Sequence, residues 1–274
     1  MNLGTLQSFY TSTSRIPGWL SFHDAGVIHV ILSNQSEDKA SGNLLEIGVY
    51  AGKSAILIGS HARPNEKFHV CDIFSEQTDS RNTDEILRSY KNLSRRTFEE
   101  NCIEFLGTLP IIHQCLSLEL PRLLNENEFR FIHIDGSHLY EHVVKDLNFA
   151  ISVINPRVGV IAVDDFRAQH TVGVALAVWQ TILEGDLIPL VMTPAKIYLG
   201  RPDTSFDINE IKAKLDFLEI QSVFEDILGN RVIRTLNLED HQLYATTGGL
   251  IRFLPPIFAD LIKNSYLWKK LRNR

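Results

Sequence analysis

Five carboxylates carry the chemistry that this sequence is equipped to do. Glu46 lies inside the apolar run Leu44 to Ile47, Asp72 follows Lys67 to Cys71, Asp135 follows Phe131 to Ile134, and Asp164-Asp165 follow Val160 to Val163. One acidic residue after a strand is usually a turn former or a helix cap. Five at equivalent places are harder to dismiss, because carboxylates gathered on one edge of a sheet repel one another and call for cationic or hydroxyl partners. A ribose diol and a divalent metal ion are partners of those two kinds. The first run continues into Gly48-Val49-Tyr50-Ala51-Gly52-Lys53-Ser54, a turn with two glycines ahead of a helix. Glycines there let the backbone pass close to a ligand, and the helix amides point into the same crevice.

The elements that must position these residues alternate. Strands are predicted at Leu44–Ile47, Lys67–Cys71, Ile111–Cys115, Phe131–Ile134 and Val160–Val163. Helices are predicted at Lys53–His61, Thr83–Leu106, around Leu118–Asn125, at His142–Ile154 and at Gly173–Ile182. Such alternation argues for a parallel sheet with helices on both faces, and ligands of such sheets sit at the carboxyl ends of the strands. Leu187–Thr193 and Ile197–Leu199 read as a hairpin-like pair completing a sheet of about seven strands, with Pro189 marking an irregular or edge position. A helix at Ser21–Leu32 and a polar loop at Ser33–Asn43 form an amino-terminal cap over residues 1–42. The core then spans 43–200. Residues 201–274 form a carboxyl-terminal extension, helical over Ile208–Phe224 and broken at Gly248-Gly249, within the same globular unit or at an oligomer interface.

Composition narrows the possibilities further. The chain has 274 residues, 44% hydrophobic and 22% charged, with a net charge of -6. Nucleic-acid binders usually carry a basic face, so nucleic acid is not an expected partner. No basic segment with an apolar core opens the chain, and no apolar run is long enough for a membrane span, so a cytoplasmic protein is expected. Cys71, Cys102 and Cys115 are odd in number and far apart in sequence, which suggests neither a disulfide framework nor a zinc set. The tail from Leu250 to Arg274 is basic and amphipathic. Packing against the core or a second subunit is the expected role of this tail, in a homo-oligomer, and contact with an anionic membrane surface is the lesser alternative.

The glycine spacing bears on the cofactor. Dinucleotide sites use G-x-G-x-x-G, whose closely spaced glycines seat a pyrophosphate. Here the pattern is Glu46-x-Gly48-x-x-x-Gly52, with an acid before the turn. That suits a ligand with a cationic amino-acid end and no pyrophosphate, such as S-adenosylmethionine, and leaves a nicotinamide-dependent oxidoreductase a distant alternative. Asp72, at the end of the adjacent strand, is placed to accept hydrogen bonds from ribose hydroxyls.

With these residues in view the chain resembles the class I S-adenosylmethionine-dependent methyltransferases. More narrowly, it is similar to the metal-dependent sugar O-methyltransferases of macrolide and aminocoumarin antibiotic pathways. The matching stretches are Gly18-Trp19-Leu20, Leu45 to Ser54, Cys71-Asp72-Ile73-Phe74, Ile132 to Glu141 and Val163-Asp164-Asp165-Phe166. The resemblance implies a Rossmann-like doubly wound fold. It assigns Glu46, Gly48, Tyr50, Gly52 and Ser54 to the methionine-binding loop, Asp72 to the ribose, and Ser117 to the neighbourhood of the adenine. Asp135, also near the cofactor, joins Asp164 and Asp165 as a ligand of Mg2+ or a similar divalent ion, a role suited to hard oxygen donors.

Vicinal hydroxyls of a small-molecule substrate would complete such a site, and a nearby base would take the proton of the attacking oxygen. His138, about one turn beyond Asp135, is the candidate base, with Asp135 as its catalytic neighbour. His133, inside an apolar strand, reads as structural, and His170 as a residue of the loop near the substrate. N- or C-methyl transfer, or a cofactor-binding protein without turnover, remain alternatives, because the sheet does not fix the reaction. Ser75 to Leu93, the amino-terminal residues and the loop after Asp165 are the segments expected to choose the substrate.

Overall fold

The computed structural model describes residues 3–74, 94–124 and 128–236. Nine strands form one sheet: β1 (Asn43–Ile47), β2 (Phe68–Cys71), β3 (Ile111–His113), β4 (Phe129–Ile134), β5 (Val160–Val163), β6 (Ile188–Met192), β7 (Ile197–Gly200), β8 (Ser222–Ile227) and β9 (Asn230–Thr235). Their spatial order is β3-β2-β1-β4-β5-β7-β6-β9-β8. The first five strands in that order run parallel, whereas β7 is antiparallel to both β5 and β6. The strand order reverses between β1 and β4, and the carboxyl ends of strands flanking such a reversal are where open α/β sheets bind ligands. The doubly wound α/β fold read from the sequence is therefore present.

Each buried strand sends alternate side chains to opposite faces, and two apolar layers result. Leu44, Phe131, Val160, Ala162 and Tyr198 join the layer beneath α2 (Phe22–Glu37), α3 (Lys53–Gly59), α4 (Arg95–Leu106) and α7 (Ile208–Phe217). Leu45, Ile47, Ile132, Ile134, Ile161 and Val163 join the layer beneath α5 (Tyr140–Val153) and α6 (Val172–Glu184). A first helix, α1 (Leu3–Ser12), contributes Leu6 to the former layer.

Several elements differ from the sequence expectation for identifiable reasons. Helix α2 continues through the polar stretch Ser33–Ser36 to Glu37, where a loop was expected. Tertiary partners account for this: Gln35 donates to the carbonyls of Arg130 and Val158 at 2.7 Å, and Lys214 donates to Asn34 at 2.5 Å. The segment after the third strand is a short 3-10 helix, Ser117–Arg122, containing Pro121, which lacks the N–H that an α-helix would use. Of the helix expected over Thr83–Leu106, the part from Arg95 is present, and the part before residue 94 lies outside the described residues.

The largest correction concerns Ile208–Phe224. The helix stops at Phe217, Glu219 turns through φ 59°, and the chain enters β8. Leu228 and Gly229, with φ of 50° and 77°, connect β8 to β9 as a two-residue loop with both residues left-handed, the conformation that matches strand twist in a tight hairpin. Through β9, which runs parallel to β6, this hairpin extends the sheet beyond the expected seven strands.

Residues Met1–Thr235 form one compact unit and Leu236–Arg274 a second. The expectations for the basic tail and for Gly248-Gly249, like those for Ser75 to Leu93, lie outside the described residues. Among the described residues no helix is long and apolar enough to cross a membrane.

Candidate functional site

The turn after β1 is held from three sides. Gly48 has φ 81°, and a Cβ there would lie 2.0 Å from the Asp135 carbonyl oxygen, so the ends of β1 and β4 approach as closely as only glycine permits. Its N–H donates to Cys71 at 2.8 Å, and the N–H of Asp135 donates to Ile47 at 2.8 Å, carrying the ladder past the strand ends. Tyr50 is left-handed at φ 47°, rare for a bulky side chain. Asp72 accounts for it: the N–H groups of Val49 and Tyr50 donate to its Oδ2 at 2.8 and 3.1 Å, and that of Phe74 to its Oδ1 at 2.8 Å. Burial pushes the Asp72 carboxyl up, with the three amides opposing. Gly52 caps α3 at φ 93° against the Phe98 ring, and Ser54 is the second residue of that helix.

The motif Gly18-Trp19-Leu20 is tied to this turn. Lys53 donates to the Gly18 carbonyl at 3.2 Å, Tyr10 donates to the Leu20 carbonyl at 2.8 Å, and Trp19, 71% exposed, stacks on Tyr50 with centroids 6.0 Å apart. Two anchors flanking an exposed indole keep it beside the glycine turn instead of folding it into the core.

Glu46 and His133 face each other across the β1–β4 register, with Oε1 and Nδ1 at 2.7 Å and both side chains fully buried. Glu46 Oε2 and His133 Nε2 have no hydrogen-bond partner among the described residues, although buried polar atoms normally find one. His133, Asp135 and Asp164 each offer a ligand atom, and these lie within 4.8 Å of one another.

Asp135, His138 and Asp165 form a second such set. His138 Nε2 lies 2.8 Å from Asp165 Oδ2, and the His170 ring meets that of His138 edge-on at 6.3 Å. Asp165 is left-handed at φ 56°, its carbonyl held by the Thr171 hydroxyl at 2.7 Å. Burial and the Asp164 carboxylate push Asp135 well above the ordinary range. Burial also penalises ionised Asp164, but Lys196 and His133 outweigh that and hold it at about 2. The convergent carboxylate oxygens beside an imidazole fit a divalent ion of the magnesium or manganese kind.

Ser117 opens the 3-10 helix and hydrogen-bonds to Asp146, which is buried on α5 and pushed up to about 6 by burial, with Ser117 and Lys145 opposing. Two functional neighbours were missed by sequence reasoning. Lys196, in the turn just before β7, is buried and paired with Asp164; burial pushes its ammonium down, while Asp164, Asp135 and Asp24 more than restore it. Asp24 lies 2% exposed on α2, accepting from Thr193 and Ser21. An isolated lysine between Ala195 and Ile197 gives no sign of burial, and only the fold brings α2 to the start of β7. The structure also brings Cys71 and Cys115, distant in sequence, to 4.0 Å between sulfurs.

Comparison with known proteins agrees with this geometry. Residues 45–166 match the family model described as a methyltransferase domain. The O-methyltransferase NovP shares the fold, with 18% identity, a TM-score of 0.55, and coverage of 66% of this chain and 80% of that one. Two further solved structures align less closely. The O-methyltransferase TomG from Streptomyces achromogenes, in complex with SAM, has 14% identity, a TM-score of 0.47 and coverage of 73% and 88%. An O-methyltransferase from Bacillus cereus, in complex with SAH, has 15% identity, a TM-score of 0.48 and coverage of 72% and 90%. No curated protein matches the sequence. The chain carries a methyltransferase domain of the class I fold, and the resemblance to S-adenosylmethionine-dependent methyltransferases holds. The matched domain supports an S-adenosylmethionine-dependent methyltransferase activity.

Proposed function

We propose that this enzyme moves the methyl group of S-adenosylmethionine to a hydroxyl oxygen of a small hydroxylated molecule, of the kind of a natural-product sugar or a related metabolite. The observation that carries the reading is the His138–Asp165 pair, beside Asp135 and across the strand-order reversal from the Gly48–Gly52 turn. In this reading Glu46, Gly48, Tyr50, Gly52 and Ser54 hold the methionine end of the cofactor, Asp72 the ribose and Ser117 the adenine side. Asp72 Oδ2 already serves two backbone amides and Oδ1 one, so Oδ1 keeps a second lone pair for a ribose hydroxyl. The carboxylates Asp135, Asp164 and Asp165 would hold a divalent ion, which supplies Lewis acidity toward a substrate oxygen when bound.

His138 removes the proton of the attacking hydroxyl. Asp165 holds its ring and stabilises the charge that the ring acquires, the arrangement a general base requires. Trp19, exposed beside Tyr50, gives the acceptor an aromatic wall, and His170 a further contact. Binding without turnover would leave the oriented His138–Asp165 pair without a task.

Calorimetric titration with S-adenosylmethionine and with NAD, in magnesium and in chelator, is the first test. It is followed by S-adenosylhomocysteine release in the presence of a panel of hydroxylated acceptors. Binding of S-adenosylmethionine and release with hydroxyl acceptors are expected. Tight NAD binding without S-adenosylmethionine binding overturns the reading.

A further inference from the structure

The candidate metal centre contains a cation of its own. Lys196 is 1% exposed, and its ammonium contacts Asp164 Oδ2. The other Asp164 oxygen accepts the Asp165 N–H at 2.7 Å. Both oxygens of the carboxylate are therefore engaged from within the chain. Convergent donors fall into two sets that share Asp135: an inner one with His133 and Asp164, and an outer one with His138 and Asp165. The ammonium belongs to the inner set, where Asp164 and Asp135 are the carboxylates that favour its charge most.

A divalent ion bound between Asp135 and Asp164 would share Asp164 with this ammonium at contact range. Like charges that close repel strongly where water is excluded. The outer carboxylate, Asp165, keeps 28% of its side chain exposed and faces the imidazole of His138. Hard cations that retain bound water and substrate oxygens favour such an open position.

We propose that Lys196 is the resident cation of the inner set: it fixes Asp164 as an internal ion pair and confines any divalent ion to the outer carboxylates Asp135 and Asp165. This rests on the reading of the acidic group as a metal centre, and it makes Asp164 a positioning residue instead of a direct ligand. The two adjacent aspartates then do different work. Asp165 meets the ion and His138, and Asp164 anchors the turn between β5 and the loop that carries Asp165.

The test is titration of the full chain with Mn2+, free ion being read by paramagnetic resonance. Asp165→Asn should weaken Mn2+ binding about tenfold or more, and Asp164→Asn by less than about threefold. Lys196→Met, which removes the repelling charge and frees an Asp164 oxygen, should tighten it about tenfold or more, while Lys196→Arg keeps the wild-type affinity. Equal losses in Asp164→Asn and Asp165→Asn, or a Lys196→Met chain that binds Mn2+ no better than wild type, overturns the proposal.

If the wild type takes up no Mn2+ at millimolar concentration, uptake by Lys196→Met alone supports the proposal, and uptake by neither chain overturns it. Thermal melting reports whether each variant folds. Should Lys196→Met fail to fold, the comparison of the two asparagine variants decides. Calorimetry with S-adenosylmethionine on the same variants in chelator reads the methyltransferase assignment separately, since cofactor binding is expected to persist in each folded variant.

Discussion

Replacing Asp146 with asparagine should stabilise the protein at neutral pH, although it removes a charge from a hydrogen-bonded group. Asp146 is 2% exposed on α5, and its carboxyl is pushed up to about 6 by burial, against an ordinary value of 3.8, despite the opposing Ser117 hydrogen bond and nearby Lys145. Between those two values the folded protein retains a proton that the unfolded chain has released. The unfolded state therefore binds fewer protons, and stability falls as pH rises through that window. At about 1.4 kcal/mol for each pH unit, the gap amounts to ~3 kcal/mol, fully developed by pH 7. An asparagine oxygen still accepts from Ser117 and carries no charge to desolvate. Urea denaturation followed by circular dichroism, from pH 4 to pH 8, checks the reasoning. The variant should match the wild type within about 1 kcal/mol near pH 4 and exceed it by ~2–3 kcal/mol at neutral pH. A variant less stable than wild type at neutral pH, or one with the same decline from pH 4 to pH 7, would refute the account of Asp146 as a carboxylate held at a cost.

Other substitutions probe the cleft itself. Asp72→Ala deprives the N–H groups of Val49, Tyr50 and Phe74 of their acceptor, and should raise the S-adenosylmethionine dissociation constant about tenfold or more by calorimetry, on the scale of ~1.5–3 kcal/mol for bonds to a charged group; an unchanged constant would contradict both its turn-holding and its ribose role. His138→Ala should lower the rate at saturating substrate about 100-fold or more while leaving cofactor affinity intact, and a small change would reduce His138 to a partner of Asp165. Gly48→Ala places a methyl 2.0 Å from the Asp135 carbonyl oxygen in a left-handed conformation, so its melting temperature and cofactor binding should fall together; wild-type values for both would show that β1 and β4 have room to part there.

The elements legible in the sequence were those whose pattern is local. Strands β1, β2, β4 and β5 are short apolar runs that contain or precede an acid, and a buried parallel strand has to look like that. The extended end of α2 was not legible, since Ser33 to Ser36 has a loop composition and is helical because Gln35 and Asn34 find partners on Arg130, Val158 and Lys214. Hairpin β8–β9 was hidden for a related reason. Its apolar residues Val223, Phe224 and Ile227 continue a helical spacing from α7, and the break depends on a left-handed Glu219, a residue type that does not advertise it.

The same division runs through the site. Glu46, Asp72, Asp135, Asp164 and Asp165 were visible because strand ends are visible, and His138 because it follows Asp135 by three residues. What the sequence could not supply is which carboxylate faces what. In the folded chain Glu46 faces His133, Asp72 faces three backbone amides, Asp164 faces Lys196, and Asp165 faces His138. Among the described residues four of the five acids therefore already have internal partners, and Asp135, common to both convergent sets, is the one whose carboxylate is left between them. Burial and the nearby Asp164 carboxylate make its ionisation costly, and on the proposed reading a cation on the outer side would relieve that cost where no ammonium already stands. On the proposed reading, a bound ion is therefore expected on the Asp135–Asp165 side of the cleft, next to the histidine that the proposed reaction needs.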